Sequence, residues 1–420
     1  MKFVKPSVRI TSLIVFVFLS TTLEAMERRR DQFTKVPGYY ISPIPIILGG
    51  LGKSIAVAGS YNNAHDSYTD YAVFMVGGNI QGGGLLVKDI HLLEKRLILD
   101  VNYSHVSQVT QRRYNTRGMQ GGQNNYIHAT SEDNNFYNLR LTGTFEQRMF
   151  EVFFGAQDGS GRLTKISDQN QRLIQTTSGA KREASALYVA GLRIDWTDDY
   201  HDPRRGVRYE YARWQRNEEN PLAVEYYQSE HNLTAYLPIG KQSSWLFNYF
   251  QADAHVTRQG ETDLTAIAQR SGLDCDDSAL TATQRDFCLR AIRNTAAHNQ
   301  YGTVGALGGR SRLRSYPGGR FNGAHALFYG TEFRWNITDE FQPFDIWLAK
   351  DVRTGVQLAF FYETATVADT KTELGDIWRD SYGIGGRIVT ASGLVFRADY
   401  ATGDEGEEIT AFISYPWEIF

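Results

Sequence analysis

From Ala324 to Asn336 the chain alternates without a break. His325, Leu327, Tyr329, Thr331, Phe333 and Trp335 share one parity, and Ala324, Ala326, Phe328, Gly330, Glu332, Arg334 and Asn336 the other. Successive side chains of a strand point to opposite faces, so this period of two predicts a strand with one aromatic face and one charged face. Gly355 to Ala365 repeats the pattern, with Val356, Leu358, Phe360 and Tyr362 opposing Gln357, Ala359, Phe361 and Glu363. So does Ala186 to Trp196, where Tyr188, Ala190, Leu192, Ile194 and Trp196 oppose Val189, Gly191, Arg193 and Asp195. Near the end Leu394, Phe396, Ala398 and Tyr400 oppose Val395, Arg397 and Asp399.

A soluble sandwich also alternates, but its inner face is densely aliphatic and its outer face polar. Here the polar face mixes charges with Gly and Ala, and the apolar face is rich in rings, which fits lipid outside and a wet, charged lumen inside. Backbone groups in lipid must all be paired, so such a sheet has to close on itself. The expected fold is all-β, a transmembrane antiparallel β-barrel. Strands are expected at about 53–61, 71–79, 83–90, 95–106, 134–145, 149–158, 184–198, 204–215, 222–237, 243–257, 324–337, 354–366, 380–390, 392–402 and 408–417. These are fifteen, and single-chain bacterial barrels have even counts, so a sixteenth is expected in the weakly patterned stretch before Ala184. Residues 51–420 form the expected barrel and 26–50 a periplasmic segment ahead of it. The long break 258–323 is expected on the extracellular side, with a short helix around Thr281 to Ile292.

Composition supports this. Aromatics make up 13%, with 24 Tyr and 23 Phe, and 39 Gly stand against 10 Pro, usage that suits twisted strands with aromatic girdles. The formal net charge of −3 speaks against a nucleic-acid partner, which needs concentrated Lys and Arg. At the N-terminus Lys2, Lys5 and Arg9 precede an apolar core from Ile10 to Leu19, the layout of a secretory signal peptide over residues 1–25, with cleavage after Ala25. Leu23 departs from the small-x-small cleavage pattern. In an oxidising envelope Cys275 and Cys288 are candidates for a disulfide, and a closed zinc site would need two further ligands.

Catalytic signatures are weak. Gly52-Lys53-Ser54 lacks the phosphate loop's first glycine, Ile47 standing in that place, and lies in a strand pattern. No GxSxG elbow and no HExxH occurs. His201 near Asp199 and Asp202, and His91 near Asp89 and Glu94, are turn histidines beside carboxylates, a common and usually inert arrangement. No enzyme, metal or cofactor is expected.

The stretch Leu307-Gly308-Gly309-Arg310-Ser311-Arg312-Leu313-Arg314-Ser315-Tyr316, continuing through Pro317-Gly318-Gly319-Arg320-Phe321, resembles the loop signature of the bacterial surface antigen family, which includes the barrels of BamA, TamA and related two-partner secretion translocons. Asp195-Trp196-Thr197-Asp198-Asp199, then Asp202-Pro203-Arg204-Arg205-Gly206, resembles that family's turn between two central strands, and Phe361 to Asp369 is similar to its strand after the signature loop. The resemblance implies sixteen strands and a long loop folded back into the lumen. It also implies an arginine, here Arg314, paired with acidic residues of the inner wall, here Glu332 and Glu363. Both glutamates already fall on the inward parity. Ser315 stands where the family usually has Gly, and residues 26–50 leave no room for its periplasmic repeat domains.

The resemblance implies a bacterial outer-membrane protein that takes part in inserting or translocating polypeptides or lipids. Its expected partners are outer-membrane lipids, unfolded outer-membrane or secreted polypeptides, and the barrel assembly machinery for its own insertion. A gated or passive pore for small solutes is the first alternative and an outer-membrane hydrolase the second. The terminal Trp417 and Phe420 are candidates for a C-terminal assembly signal. Alternation through Ile413, Tyr415, Trp417 and Ile419 places Trp417 on the apolar parity, Phe420 off it, and Pro416 at a strand edge.

Overall fold

The computed structural model describes residues 31–33, 37–114, 116–176, 183–216, 220–271, 274–278, 280–338, 344–346, 349–352, 354–390 and 395–418. The signal segment 1–25 and Phe420 lie outside the described residues.

Sixteen antiparallel strands, each bonded to the next, build one closed barrel. They are β1 (Gly38–Leu48), β2 (Gly52–Asn62), β3 (Asp70–Gly78), β4 (Ile80–Leu93), β5 (Leu97–Tyr114), β6 (Tyr126–Phe145), β7 (Phe150–Ser167) and β8 (Glu183–Thr197). The second half contains β9 (Gly206–Arg216), β10 (Glu225–Ile239), β11 (Ser243–Arg258), β12 (His325–Asn336), β13 (Thr354–Ala368), β14 (Arg379–Thr390), β15 (Val395–Gly403) and β16 (Gly406–Ile413). Closure is made where β1 meets β16. Connections alternate between two ends. At one, the loop end, β5 leads to β6, β7 to β8 and β11 to β12; at the other, the turn end, lie the connections 146–149, 198–205 and 240–242, the start of β1 and the end of β16.

The faces follow the alternation. Tyr329, Trp335, Phe360, Tyr362 and Tyr400 are exposed on the outside, while Glu332, Arg334, Glu363, Arg397 and Asp399 are buried inside.

Three expectations need correction. The sixteenth strand is not before Ala184 but at Gly38–Leu48, inside the stretch expected to precede the barrel. The short strand Leu173–Thr176, which does lie before Ala184, only prolongs the hairpin from β7. Pro43 and Pro45 hide β1 in the sequence, because proline is confined to strand edges, and β1 is one side of the seam. The last strand ends at Ile413 rather than 417, and Tyr415 and Trp417 turn inward instead of facing out. Pro416 has no N–H for a ladder, and Trp417 has a positive φ of 71°, so the chain leaves the sheet here. The expected short helix is longer: α2 spans Ala282–Tyr301, opened by a Thr281/Gln284 capping box, and a further helix, α1 (Leu264–Ser271), precedes it. Cys275 and Cys288 are disulfide-bonded and pack with Ile267 and Ile292 between the two helices.

Strands β5 to β7 run 18 to 20 residues. A membrane crossing takes only about 9–11, so they project beyond the others at the loop end. The β5–β6 connection folds over the mouth. There Arg117 gives Nε–H and Nη2–H to Asp369 at 2.6–3.0 Å, Nη1–H to Thr303 at 2.7 Å and Nη2–H to the carbonyl of Gly302 at 2.6 Å. Charge-assisted bonds of this kind contribute about 1.5–3 kcal/mol each. Arg117→Ala is therefore expected to speed amide exchange in residues 116–125 by roughly ten- to a hundredfold. Exchange in the barrel strands should stay unchanged, as hydrogen-exchange mass spectrometry would show.

Candidate functional site

Beyond Gly302 the long loop enters the lumen. It closes on itself through Val304 N–H to Gly323 O (2.9 Å), a bridge between Leu307 and Phe321, and Gly309 N–H to Tyr316 O (2.7 Å). Leu307, Leu313, Tyr316 and Phe321 pack against Leu246, Phe250, Phe328, Ala365 and Val367 of the wall. The apolar loop side chains thus hold the plug in place, and Leu313, at a φ of 52°, makes the turn that presents Arg314.

Arg314 meets three carboxylates. Its Nε–H points to Glu363 Oε1 (2.9 Å), Nη1–H to Asp399 Oδ2 (3.0 Å) and Nη2–H to Glu332 Oε2 (3.2 Å), while its backbone N–H reaches Glu363 Oε2 (2.9 Å). The guanidinium also lies 3.4 Å from the centroid of the Phe361 ring. All four charged side chains are fully buried. A planar fork that stays charged can serve several carboxylates at once, which lysine cannot. Around this centre Arg334 and Arg387 both bond Glu332 at 2.7 Å, and Arg397 lies 3.3 Å from Asp399. Arg314, Glu332 and Glu363 are thus brought together. Asp399 and the three further arginines were missed, although all four share the inward parity.

The rest of the signature is placed nearby. Ser315 N–H bonds Ser381 Oγ (2.9 Å), Tyr316 O–H the carbonyl of Asp380 (3.2 Å), and Arg320 grips Glu405 (2.6–2.7 Å) and the carbonyl of Gly121 (2.9 Å). Gly319 takes a left-handed φ of 75°, and Gly318 N–H bonds the carbonyl of Gly49 (2.8 Å) in the β1–β2 turn. Arg312, by contrast, bonds neutral oxygens among the described residues, Asn232 Oδ1 (3.2 Å) and the carbonyl of Trp417 (2.9 Å). Burial pushes its pKa down to about 10, against the fields of Glu230, Glu210 and Glu363.

The C-terminal turn joins the same site. Trp417 gives its indole N–H to Glu363 Oε1 (2.8 Å) and packs near Phe328 and Gly330. A Cβ on Gly330 would come within 2.8 Å of the indole, so only glycine leaves room there. Tyr415 O–H reaches Asp202 Oδ1 (2.5 Å), which also accepts from Gln357 (3.0 Å). Asp202, Pro203, Arg204, Arg205 and Gly206 do form a turn between β8 and β9, with Arg204 bonding Asp202 at 3.2 Å and Gly206 at a φ of 110°.

A second charged cluster, of which the alternation marked only Arg193 and Asp195 as inward, lies at the turn end. Tyr200 swings into the lumen from that same turn, bonding Glu151 (3.0 Å) and Arg193 and lying under Arg148. Arg193 bonds Glu210 (2.6 Å) and Arg208 bonds Asp195 (3.0 Å). The inward parity of β8 and β9 held the signal for the wall residues, but nothing local told that Tyr200 would turn in.

Of the weak catalytic candidates, His201 stands edge-on to Tyr200, with its backbone N–H on Asp199 Oδ1 (2.9 Å), and His91 stacks on Tyr68. Lys53 and Ser54 belong to β2, as their strand pattern predicts. Among the described residues no group of three or more His, Cys, Asp or Glu is placed to hold a metal ion.

Fold and site together define a closed sixteen-stranded antiparallel barrel whose lumen holds an arginine-pinned loop. No protein-family model and no curated protein matches the sequence. Among solved structures the chain is similar to BamA from Haemophilus ducreyi lacking POTRA domains 1–3, at 12% identity and a TM-score of 0.49, over 90% of this chain and 70% of that one. It is similar also to CdiB from Escherichia coli (11%, TM-score 0.48, over 94% and 70%) and to CdiB from Acinetobacter baumannii (10%, TM-score 0.46, over 90% and 60%).

Proposed function

We propose that this chain is an outer-membrane barrel whose seam between the first and last strands opens sideways, so that it takes part in inserting or translocating polypeptides or lipids. Exposed apolar side chains around the outside, such as Ile55, Val57, Val73, Met75, Phe154 and Ile384, form a surface far larger than the isolated apolar patches a water-soluble monomer carries. Lipid is the environment that accommodates it.

The seam is the observation that carries the reading. All residues of β1 from Gly38 to Leu48 pair with β2, and eight pairs join β15 to β16, yet β1 and β16 share one pair, Ile47 with Ala411. The sequence supplies the cause. In an antiparallel strand, residues of one parity turn their N–H groups to one neighbour. The turn bond from Leu51 N–H to Leu48 O puts the even positions of β1 on the β2 side. Pro43 and Pro45 therefore face β16 together with Ile47, and neither has a proton to donate. Unpaired strand edges are templates for an incoming strand, which is how a seam of this kind receives a client. At the turn end Tyr39 pairs instead with Lys350 of a short hairpin, Phe344–Ile346 with Ala349–Val352, so that stretch of the edge is shielded.

The test is a disulfide across the seam, Ile47→Cys with Ala411→Cys, in cells that depend on this chain. Oxidation is expected to lower the levels of other outer-membrane proteins and reductant to restore them. A control bond inside the first hairpin, Ile44→Cys with Ala56→Cys, should leave them unchanged. Full activity with the seam demonstrably cross-linked would rule out lateral opening.

A further inference from the structure

On the outside of β9 to β12, near the loop end, four directly opposed residues form a polar row: Arg213, Ser229, Asp253 and His325. Two positions nearer the turn end along each strand, and then two more, the same face carries Tyr211, His231, Gln251 and Leu327, and then Tyr209, Leu233, Tyr249 and Tyr329. The outer face thus passes from rings to charges within two rows. Tyrosines of the lower row point their hydroxyls toward the polar side: Tyr249 O–H bonds Gln251 Oε1 (2.7 Å) and Tyr209 O–H lies 2.8 Å from His231 Nδ1. That is the posture of an aromatic girdle at the boundary between hydrocarbon and headgroups.

The polar row is organised. Asp253 holds the Nδ1–H of His325 (2.6 Å) and lies 3.6 Å from the ammonium of Lys371, whose side chain is 64% exposed. Tyr227 is sandwiched between the Arg213 guanidinium, 3.8 Å from its centroid, and the stacked ring of His255 at 4.7 Å. Ser229 Oγ fixes that imidazole at 2.9 Å. The strip thus gathers two permanent cations, Arg213 and Lys371, and the imidazoles of His255 and His325 around the Asp253 carboxylate.

We propose that this strip seats the phosphorylated headgroup of a lipid in the leaflet on the loop side, Arg213 and Lys371 taking the phosphate oxygens and Tyr227 supporting the adjacent sugar or glycerol. Arginine and lysine are the side chains suited to phosphate, and basic residues just beyond the hydrocarbon draw anionic headgroups. The inference rests on the membrane-spanning reading and adds a ligand to it.

The experiment uses the whole barrel purified in detergent and exchanged into lipid nanodiscs, with bis-phosphorylated lipid A as probe and native mass spectrometry as readout. One lipid A is expected to stay bound to the wild type, and retention in the doubly substituted Arg213→Ala, Lys371→Ala barrel to fall roughly tenfold or more. Both side chains are exposed, so the variant should keep its heat-modifiable gel band, which serves as the folding control. Equal retention by the variant, equal retention of dephosphorylated lipid A, or displacement by inorganic phosphate at matching concentration would each overturn the proposal. A barrel that fails to enter nanodiscs at all would instead refute the membrane reading, so the two failures are told apart.

Discussion

Replacing Arg314 by alanine is expected to cost the barrel about 3–5 kcal/mol, the usual consequence of removing one partner from a buried ion pair. The loss falls unevenly on its three carboxylates. Glu332 keeps Arg334 and Arg387, and Asp399 keeps Arg397, but Glu363 is left with the Trp417 indole N–H as its remaining side-chain donor. The penalty should therefore sit on Glu363. Arg314→Ala is expected to lower the temperature at which the compact gel band converts to the unfolded one, and adding Glu363→Gln should recover part of the loss, because the neutral amide has less to lose on burial. Arg314→Lys should fall in between, a single ammonium being unable to reach all three acids with the same geometry. A conversion temperature unmoved by Arg314→Ala would mean that the apolar loop contacts hold the plug alone.

Trp417→Ala is expected to cost a similar amount, about 3–5 kcal/mol, for a different reason. The indole fills the space over Gly330 and Phe328 and donates to Glu363, and the same residue's carbonyl accepts from Asn232 and Arg312. The carbonyl survives in the alanine variant, so the change isolates ring and N–H. Trp417→Phe keeps most of the packing and removes the bond to a charged acceptor, for which about 1.5–3 kcal/mol is the expected loss. Urea midpoints of the two variants would separate packing from hydrogen bonding. Equal midpoints for Trp417→Phe and the wild type would show that Glu363 is satisfied by Arg314 alone.

Which face of a strand looks inward was legible wherever alternation was clean. Glu332, Glu363, Arg193, Asp195, Arg397 and Asp399 were all placed on the charged face from parity alone, and all are buried in the lumen. The strands went astray where proline entered. Pro43 and Pro45 masked β1, and Pro416 lay in a segment whose parity continued on paper while its backbone left the sheet. Alternation records which way side chains point if a segment stays in the ladder. It says nothing about whether the backbone can stay there. The loop that carries Arg314 could be singled out as a stretch of sequence, yet Asp399 could not be chosen as its partner from the many inward charges.

Residue order alone established a closed all-β barrel with a ringed exterior and a charged interior, because side-chain direction in a strand is a local property repeating every two residues. It also marked the cysteines that bond and the loop that carries Arg314. Pairing across the barrel was settled by the fold. Arg314 meets Asp399 from 85 positions away, Trp417 meets Glu363 across 54, and the first strand meets the last at a single position. Such contacts depend on shear, closure and the path of the plug, which are properties of the whole sheet that no local window contains.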